Sequence, residues 1–451
     1  MIPYGSGMIT DEPTSADPAG HSGIRLEPDL PICQSDLPLD WYQAEFQPYA
    51  EEYLALADRK PATIFRWLDH YVRPAQDAFG DELLILAHYY MGGEIVKLVE
   101  RYGGAIADSY ALALQARRQP EKKIIVESAV HFMAESIAIL AHEDQTVWIT
   151  NPKAGCTMEM LAKDHMVAPV ADQLLERYGD ELTTVAYMNT SGHLKALAGR
   201  TGGAVCTSSN AHQVVEWARG RGKKIFFVPD QHLGINTAHR LGMDPERVVT
   251  LPDPRLGAMR IEDVDGGLEA LDRAEMVLWG SECGVHTIFT RAMVEGWQER
   301  GYRVLIHPES PWDAVRVADG VGSTAFLWRE VMEAPKGSKI AIGTEGHFVR
   351  NARDQAVQRG VEVVHLAELP GSKVAGCGCA TMSRNDPPHL AGMLDLLVKG
   401  TPPSLNRVLA GDSIHERTGA RDRLDEVERR ELIAEARTAM ENMITVVEGG
   451  K

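Results

Sequence analysis

Gly80-Asp81-Glu82-Leu83-Leu84-Ile85-Leu86-Ala87-His88-Tyr89-Tyr90 decides the fold, because the chain repeats it. At a constant offset it returns as Gly179-Asp180-Glu181-Leu182-Thr183-Thr184-Val185-Ala186-Tyr187-Met188-Asn189. The agreement runs on through Gly103-Gly104-Ala105-Ile106 and Gly202-Gly203-Ala204-Val205, up to Ser109 and Ser208. A third, more diverged copy starts at Tyr302-Arg303-Val304-Leu305-Ile306-His307-Pro308-Glu309 and reaches Gly322-Ser323-Thr324. Each copy is a short apolar run that ends in polar residues, the pattern of a buried strand bounded by a turn.

The second half of each copy recurs as well. Lys122-Lys123-Ile124-Ile125-Val126 leads to His131, Lys223-Lys224-Ile225-Phe226-Phe227 to His232, and Ser338-Lys339-Ile340-Ala341-Ile342 to His347. In all three the His follows the second residue of the opening pair by the same spacing. A further apolar strand and a cysteine close each copy: 146–150 before Cys156, 276–280 before Cys283, and 361–366 before Cys379. This is an internal triplication. Short β-rich runs alternating with helical stretches predict parallel βαβ units with helices on both faces. The expected fold is α/β, three homologous three-layer αβα domains with parallel sheets: 61–175 with Cys156, 176–298 with Cys283, and 299–400 with Cys379.

The flanks read differently. Residues 1–60 form an N-terminal extension whose first part is rich in Pro, Ser, Gly and Asp and lacks a sustained period, so it is expected to be irregular. Helical spacing begins at 50–71. A polar stretch, 255–273, interrupts the second copy without a counterpart in the others. The tail, 401–451, is a charged connector followed by a helix over 431–447, whose stripe of Ile433, Ala434, Ala436, Ala439, Met440 and Met443 is expected to pack back on the body.

Composition narrows the function. The net charge of −18 argues against nucleic acid, which needs clustered Lys and Arg. No apolar run has the length of a membrane span, and the N-terminus lacks a basic flank before an apolar run, so the expectation is a cytoplasmic protein without membrane partners. Six cysteines (Cys33, Cys156, Cys206, Cys283, Cys377 and Cys379) in 451 residues are no disulfide framework. They are small packed groups or ligands.

Ligands of parallel sheets gather beyond the C-terminal ends of the strands, where the recurring polar residues fall. Three similar domains about a pseudo-threefold axis would each point one cysteine at a central active site. Three thiolates and an open position suit a [4Fe–4S] cluster with one iron free to act as Lewis acid, and equally a zinc ion. The strand ends add hydroxyls at Ser109, Ser208, Ser323 and Thr324, an amide at Asn189, imidazoles at His88 and His307, and a carboxylate at Glu309. Hydroxyls and backbone N–H groups at strand-to-helix turns make phosphate and carboxylate sites, although a Ser in such a place also serves as an ordinary helix cap. Glu309 suits a general acid/base. In Gly376-Cys377-Gly378-Cys379, only one thiol is needed.

Taken in order, several motifs resemble the quinolinate synthase family, the A proteins of bacterial NAD biosynthesis. They are Leu86-Ala87-His88-Tyr89-Tyr90, His131-Phe132-Met133-Ala134-Glu135, Ala186-Tyr187-Met188-Asn189-Thr190-Ser191, Thr207-Ser208-Ser209-Asn210-Ala211, Pro229-Asp230, Cys283-Gly284-Val285-His286, His307-Pro308-Glu309, Gly322-Ser323-Thr324, Gly343-Thr344-Glu345 and Cys379…Met382. The resemblance implies three αβα domains around a [4Fe–4S] cluster held by Cys156, Cys283 and Cys379. It implies condensation of iminoaspartate (iminosuccinate) with dihydroxyacetone phosphate to quinolinate, phosphate and water, with L-aspartate oxidase as the candidate supplier of the imine. By position it implies substrate contacts at His88, Ser109, Tyr187, Met188, Asn189, Ser208, His307, Pro308, Glu309 and Thr324. Acid/base work falls to Tyr90 and Glu309, with His307 beside them, and Cys206 falls on a variable family position.

The chain departs from the family at Ser310, where a cysteine is usual, and at Cys379-Ala380-Thr381-Met382, where Cys-Pro-Asn-Met is usual. Other readings stay open: another [4Fe–4S] hydro-lyase, or a non-enzymatic protein whose cysteines hold structural zinc or a sensor cluster.

Overall fold

The computed structural model describes residues 39–91, 93–372, 379, 381–414 and 421–449. Most of the extension, with Cys33, and also Cys377 lie outside the described residues. The described residues form two compact units, one within 1–154, 328–409 and 414–421, the other within 155–327, 410–413 and 422–451.

The first unit holds β1 (Leu83–His88), β2 (Ala105–Ala107), β3 (Ile124–Ser128) and β4 (Thr146–Ile149), a parallel sheet in the order β2-β1-β3-β4. The second holds β5 (Leu182–Tyr187), β6 (Ala204–Cys206), β7 (Lys224–Val228), β8 (Val248–Thr250) and β9 (Met276–Leu278), again parallel, in the order β6-β5-β7-β9-β8. Helices alternate with the strands, so the fold is α/β with parallel sheets, as the apolar runs require. The third copy supplies β10 (Arg303–Ile306) and β11 (Gly320–Val321), paired in the second unit, and β12 (Lys339–Gly343) and β13 (Glu362–His365), paired in the first.

The repetition extends to register. Leu86 faces Ala105 and His88 faces Ala107. One repeat later, Val185 faces Ala204 and Tyr187 faces Cys206. The doubled glycines follow from the same geometry. Gly103 and Gly202 take φ of 71° and 65°, which favours a residue without Cβ. A Cβ on Gly104 would lie 2.2 Å from Ile85 O, and one on Gly203 1.8 Å from Thr184 O.

The flanks refine three expectations. The stretch read as helical over 50–71 is two helices, Gln47–Leu54 and Pro61–Phe79. Pro61 carries no N–H and has the φ of a first helical turn, so it opens the second helix rather than extending the first. The interruption of the second copy is wider than 255–273 and includes a strand, β8, at the sheet edge, followed by short turns and the helix Gly267–Arg273. The C-terminal helix runs Glu426–Glu448, and its buried residues are Leu432, Ala436, Ala439, Met440 and Met443. Ala434 is exposed instead. That helix crosses the helix Gly192–Arg200 so closely that a Cβ on Gly199 would lie 2.0 Å from Glu435 O.

Candidate functional site

In the second unit, β5 ends at Tyr187 and β10 at Ile306, immediately before His307. The turn after β10 is held from below, because the Asn236 amide donates to Pro308 O at 2.7 Å and to Ser310 O at 2.8 Å. The turn after β5 is held by Thr190, whose hydroxyl donates to Tyr187 O at 2.9 Å, and by the buried Lys195 ammonium, which donates to Thr190 O. These two turns place Tyr187 and Glu309 together, and the phenol donates to Glu309 Oε1. The other oxygen, Oε2, lies 2.8 Å from His286 Nδ1 and 3.9 Å from His307 Nδ1. The rings of His286 and His307 stack with centroids 4.5 Å apart.

His286 also reaches the cysteine three residues before it, with Nδ1 3.1 Å from Cys283 Sγ. Cys283, His286 and Glu309 together form a buried group whose ligand atoms lie within 4.8 Å of one another, close enough to hold a metal ion. Asn189 Nδ2 lies 3.9 Å from Cys156 Sγ. Asp230, wholly buried, accepts the Leu233 N–H at 2.6 Å and the Cys283 N–H at 3.0 Å.

Electrostatics separates the two carboxyls here. Burial alone would raise Glu309, but the His307 and His286 imidazoles and the Tyr187 hydroxyl outweigh it and hold the carboxyl down at about 2. Asp230 goes the other way, raised well above the ordinary carboxylate range by burial and then by Glu309. Carboxyls pushed apart in this manner can divide acid and base roles between them.

The first unit carries a further set of the expected residues. His88 ends β1, and its Nδ1 accepts the Tyr90 N–H at 3.2 Å. Tyr90 packs edge-on to His88, with ring centroids 4.7 Å apart, and its hydroxyl lies 3.2 Å from Thr344 Oγ1. Ser109 is the first residue of the helix Ser109–Arg118, but Asp108 is the cap, accepting the Ala111 N–H at 3.0 Å. Glu345 Oε1 accepts from the Cys379 N–H at 2.9 Å and pairs with His347 Nδ1 at 3.0 Å. Burial would raise Glu345, and His347 with the two backbone donors keeps it below its usual value. The Cys379 thiol lies 3.2 Å from Thr381 Oγ1, and desolvation pushes its pKa up, so a cation is what would hold it as thiolate.

The remaining expected residues sit at turns. Ser208 lies between Thr207 and Ser209, whose hydroxyls are 2.8 Å apart, ahead of the helix Ala211–Gly220. Thr324 opens the helix Thr324–Met332 and is buried, with Ser323 Oγ accepting the Phe326 N–H at 3.4 Å. Met188 contributes backbone, donating to Cys206 O at 2.8 Å.

The cysteines sort by place. Cys156, Cys283 and Cys379 lie on loops beyond strands, and Cys206 lies inside β6, fully buried with its pKa pushed up. Three loop thiols are a donor set that suits soft metal, and Cys206 is packing. His286, Asp230, Thr344 and Glu345 were missed as functional positions, although each lies within a quoted motif. His286 stands three residues after a cysteine, and Asp230 and Glu345 each stand two residues before a recurring His.

Among the described residues, no helix is long and apolar enough to cross a membrane. Residues 73–408 match the family described as quinolinate synthetase A protein, NadA. A quinolinate synthase of Streptomyces coelicolor is 40% identical over 335 residues, covering 73% of this chain and 80% of the relative. One of Corynebacterium glutamicum is 34% identical over 414 residues, covering 91% and 93%, and one of Geobacillus kaustophilus is 36% identical over 335 residues, covering 74% and 86%. The chain therefore belongs to the quinolinate synthetase A protein family.

Proposed function

We propose that the protein is a quinolinate synthase, condensing iminoaspartate with dihydroxyacetone phosphate to quinolinate, phosphate and water without net redox change. The observation that carries this reading is Glu309, kept ionised at a strand end between the Tyr187 hydroxyl and His286, in a chain of this family. A [4Fe–4S] cluster held by Cys156, Cys283 and Cys379 would supply a Lewis-acidic iron that polarises the bound substrate.

The protein's own groups handle protons and position. The Glu309 carboxylate takes a proton through the Tyr187 hydroxyl that already donates to it, and His286 on the other oxygen stabilises the ionised form. Tyr90, paired with Thr344, serves as a proton donor for the departing oxygen. Backbone N–H groups at the helix starts of Ser109 and Thr324, with the hydroxyls of Ser109, Ser208 and Thr324, suit the phosphate and carboxylates. His88, Asn189 and His307 orient the substrate, and Met188 and Pro308 do so through backbone. The division into domains of 61–175, 176–298 and 299–400, a cytoplasmic location, and supply of the unstable imine by an L-aspartate oxidase are parts of the same proposal.

A second reading follows from the compact group of Cys283, His286 and Glu309, whose sulfur, nitrogen and oxygen donors suit a single zinc ion. Anaerobic purification separates the two. Iron and inorganic sulfide in equal amounts, with quinolinate formed from the two substrates, is expected. Colourless protein carrying zinc and forming no quinolinate would overturn the proposal.

A further inference from the structure

Two buried carboxyl side chains outside the proposed proton path do the same thing in different repeats. Asp230 and Glu345 each stand two residues before the recurring His, at His232 and His347. Asp230 caps the helix Gln231–Arg240 by accepting the Leu233 N–H at 2.6 Å, and its second oxygen accepts the Cys283 N–H at 3.0 Å. Glu345 caps the helix Gly346–Gln358 by accepting the Phe348 N–H at 2.9 Å, and its second oxygen accepts the Cys379 N–H at 2.9 Å. Both residues are completely buried. The side chains differ in length, but the bonding is the same: one oxygen to the third residue of the helix, the other to a cysteine.

Capping alone does not call for such a group. A serine hydroxyl caps a helix, as Ser191 does for Gly192–Arg200, without putting a carboxyl into the interior. What the carboxyl group adds is a second oxygen, and both times that oxygen accepts from the backbone N–H of a loop cysteine. The first repeat has Ala129 at the equivalent place, with no side-chain acceptor to offer.

We propose that Asp230 and Glu345 are positioning residues that clamp the backbones of Cys283 and Cys379, tying each cysteine to the start of a rigid helix. This rests on the reading of those cysteines as cluster ligands. A clamped ligand keeps its sulfur aimed when the cluster is attacked, so the clamp acts on cluster retention. The first repeat does without it.

Serine substitutions separate the two jobs, because serine keeps the cap and is too short to hold the cysteine. In Asp230→Ser and Glu345→Ser, cluster release to an iron chelator, followed by loss of visible absorption, should accelerate by ~10–100-fold. In the metal-free proteins, slow exchange of the Cys283 or Cys379 amide hydrogen should be lost. Asp425→Ser, which alters a carboxylate that caps only the helix Glu426–Glu448, should match wild type in both measurements. Asp230→Asn and Glu345→Gln, whose amides keep one acceptor oxygen, should fall between, and they stand in for a serine variant that does not fold. Release and exchange at wild-type rates, or equal acceleration in Asp425→Ser, would overturn the proposal. If wild type itself binds no iron and sulfide, the functional reading fails instead, and the amide-exchange result still decides whether the clamp exists.

Discussion

Glu309 and Glu127 are the same residue type at the same depth, and they behave in opposite ways. Glu309 lies 3% exposed with Tyr187 on one oxygen and His286 on the other, and its carboxyl is held down at about 2. Glu127 is fully buried in β3, and neither carboxyl oxygen has a hydrogen-bond partner among the described residues. Its neighbours across the sheet are Leu86 and Ile149, and it shares a face with Ile125, all three members of one apolar cluster. Burial alone pushes its carboxyl far up. Depth therefore identifies no functional acid. Partners do, because they decide whether the buried group keeps its charge.

The largest effect is expected at Glu309. Glu309→Gln keeps the shape and loses the charge, so quinolinate formation per cluster-loaded protein should fall by ~10²–10⁴-fold. Iron and sulfide content should stay at the wild-type level. Turnover close to wild type would mean that Glu309 is a structural ion after all. His286→Gln tests the partner rather than the carboxylate, and its loss should be smaller, ~10–100-fold. Removing an imidazole that lowers the Glu309 pKa must raise it from about 2 toward its ordinary value. If the ionised form is the active one, the acid limb of the rate profile moves to higher pH. An unmoved acid limb would show that Tyr187 and His307 suffice.

Much of this was readable along the chain, and the reason is locality. The repeated runs became β1, β5 and β10 within a residue or two, because a short apolar run bounded by turn residues has few other uses. His88, Tyr187 and His307 fall at strand ends because register carries over between repeats, and Cys206 packs because it sits within such a run. What escaped depends on pairing across long separations. β8 has only three residues and no period of its own, so only its pairing with β9 makes it a strand. The cysteine or recurring His near His286, Asp230 and Glu345 does not by itself state a role, since what makes each useful is a partner more than twenty residues away: Glu309, the Cys283 N–H and the Cys379 N–H.

For Glu127 the sign of the pH dependence is fixed by linkage. In the unfolded chain its carboxyl ionises near the ordinary 4.5, whereas the folded protein keeps it protonated to much higher pH. Between those values the folded state binds more protons than the unfolded one, so stability falls as pH rises. Glu127→Met fills the same slot with an unbranched apolar chain and removes the buried carboxyl. At pH 7 it should stabilise the first unit by about 1–3 kcal/mol, with quinolinate formation unchanged. The gain should shrink as pH drops through 4.5, where the wild-type carboxyl is neutral in both states. Urea unfolding of both proteins between pH 4 and pH 8 measures this directly. Parallel curves across that range would mean that Glu127 is charged in the folded protein, and the distinction between a partnered and an unpartnered buried acid would not hold here.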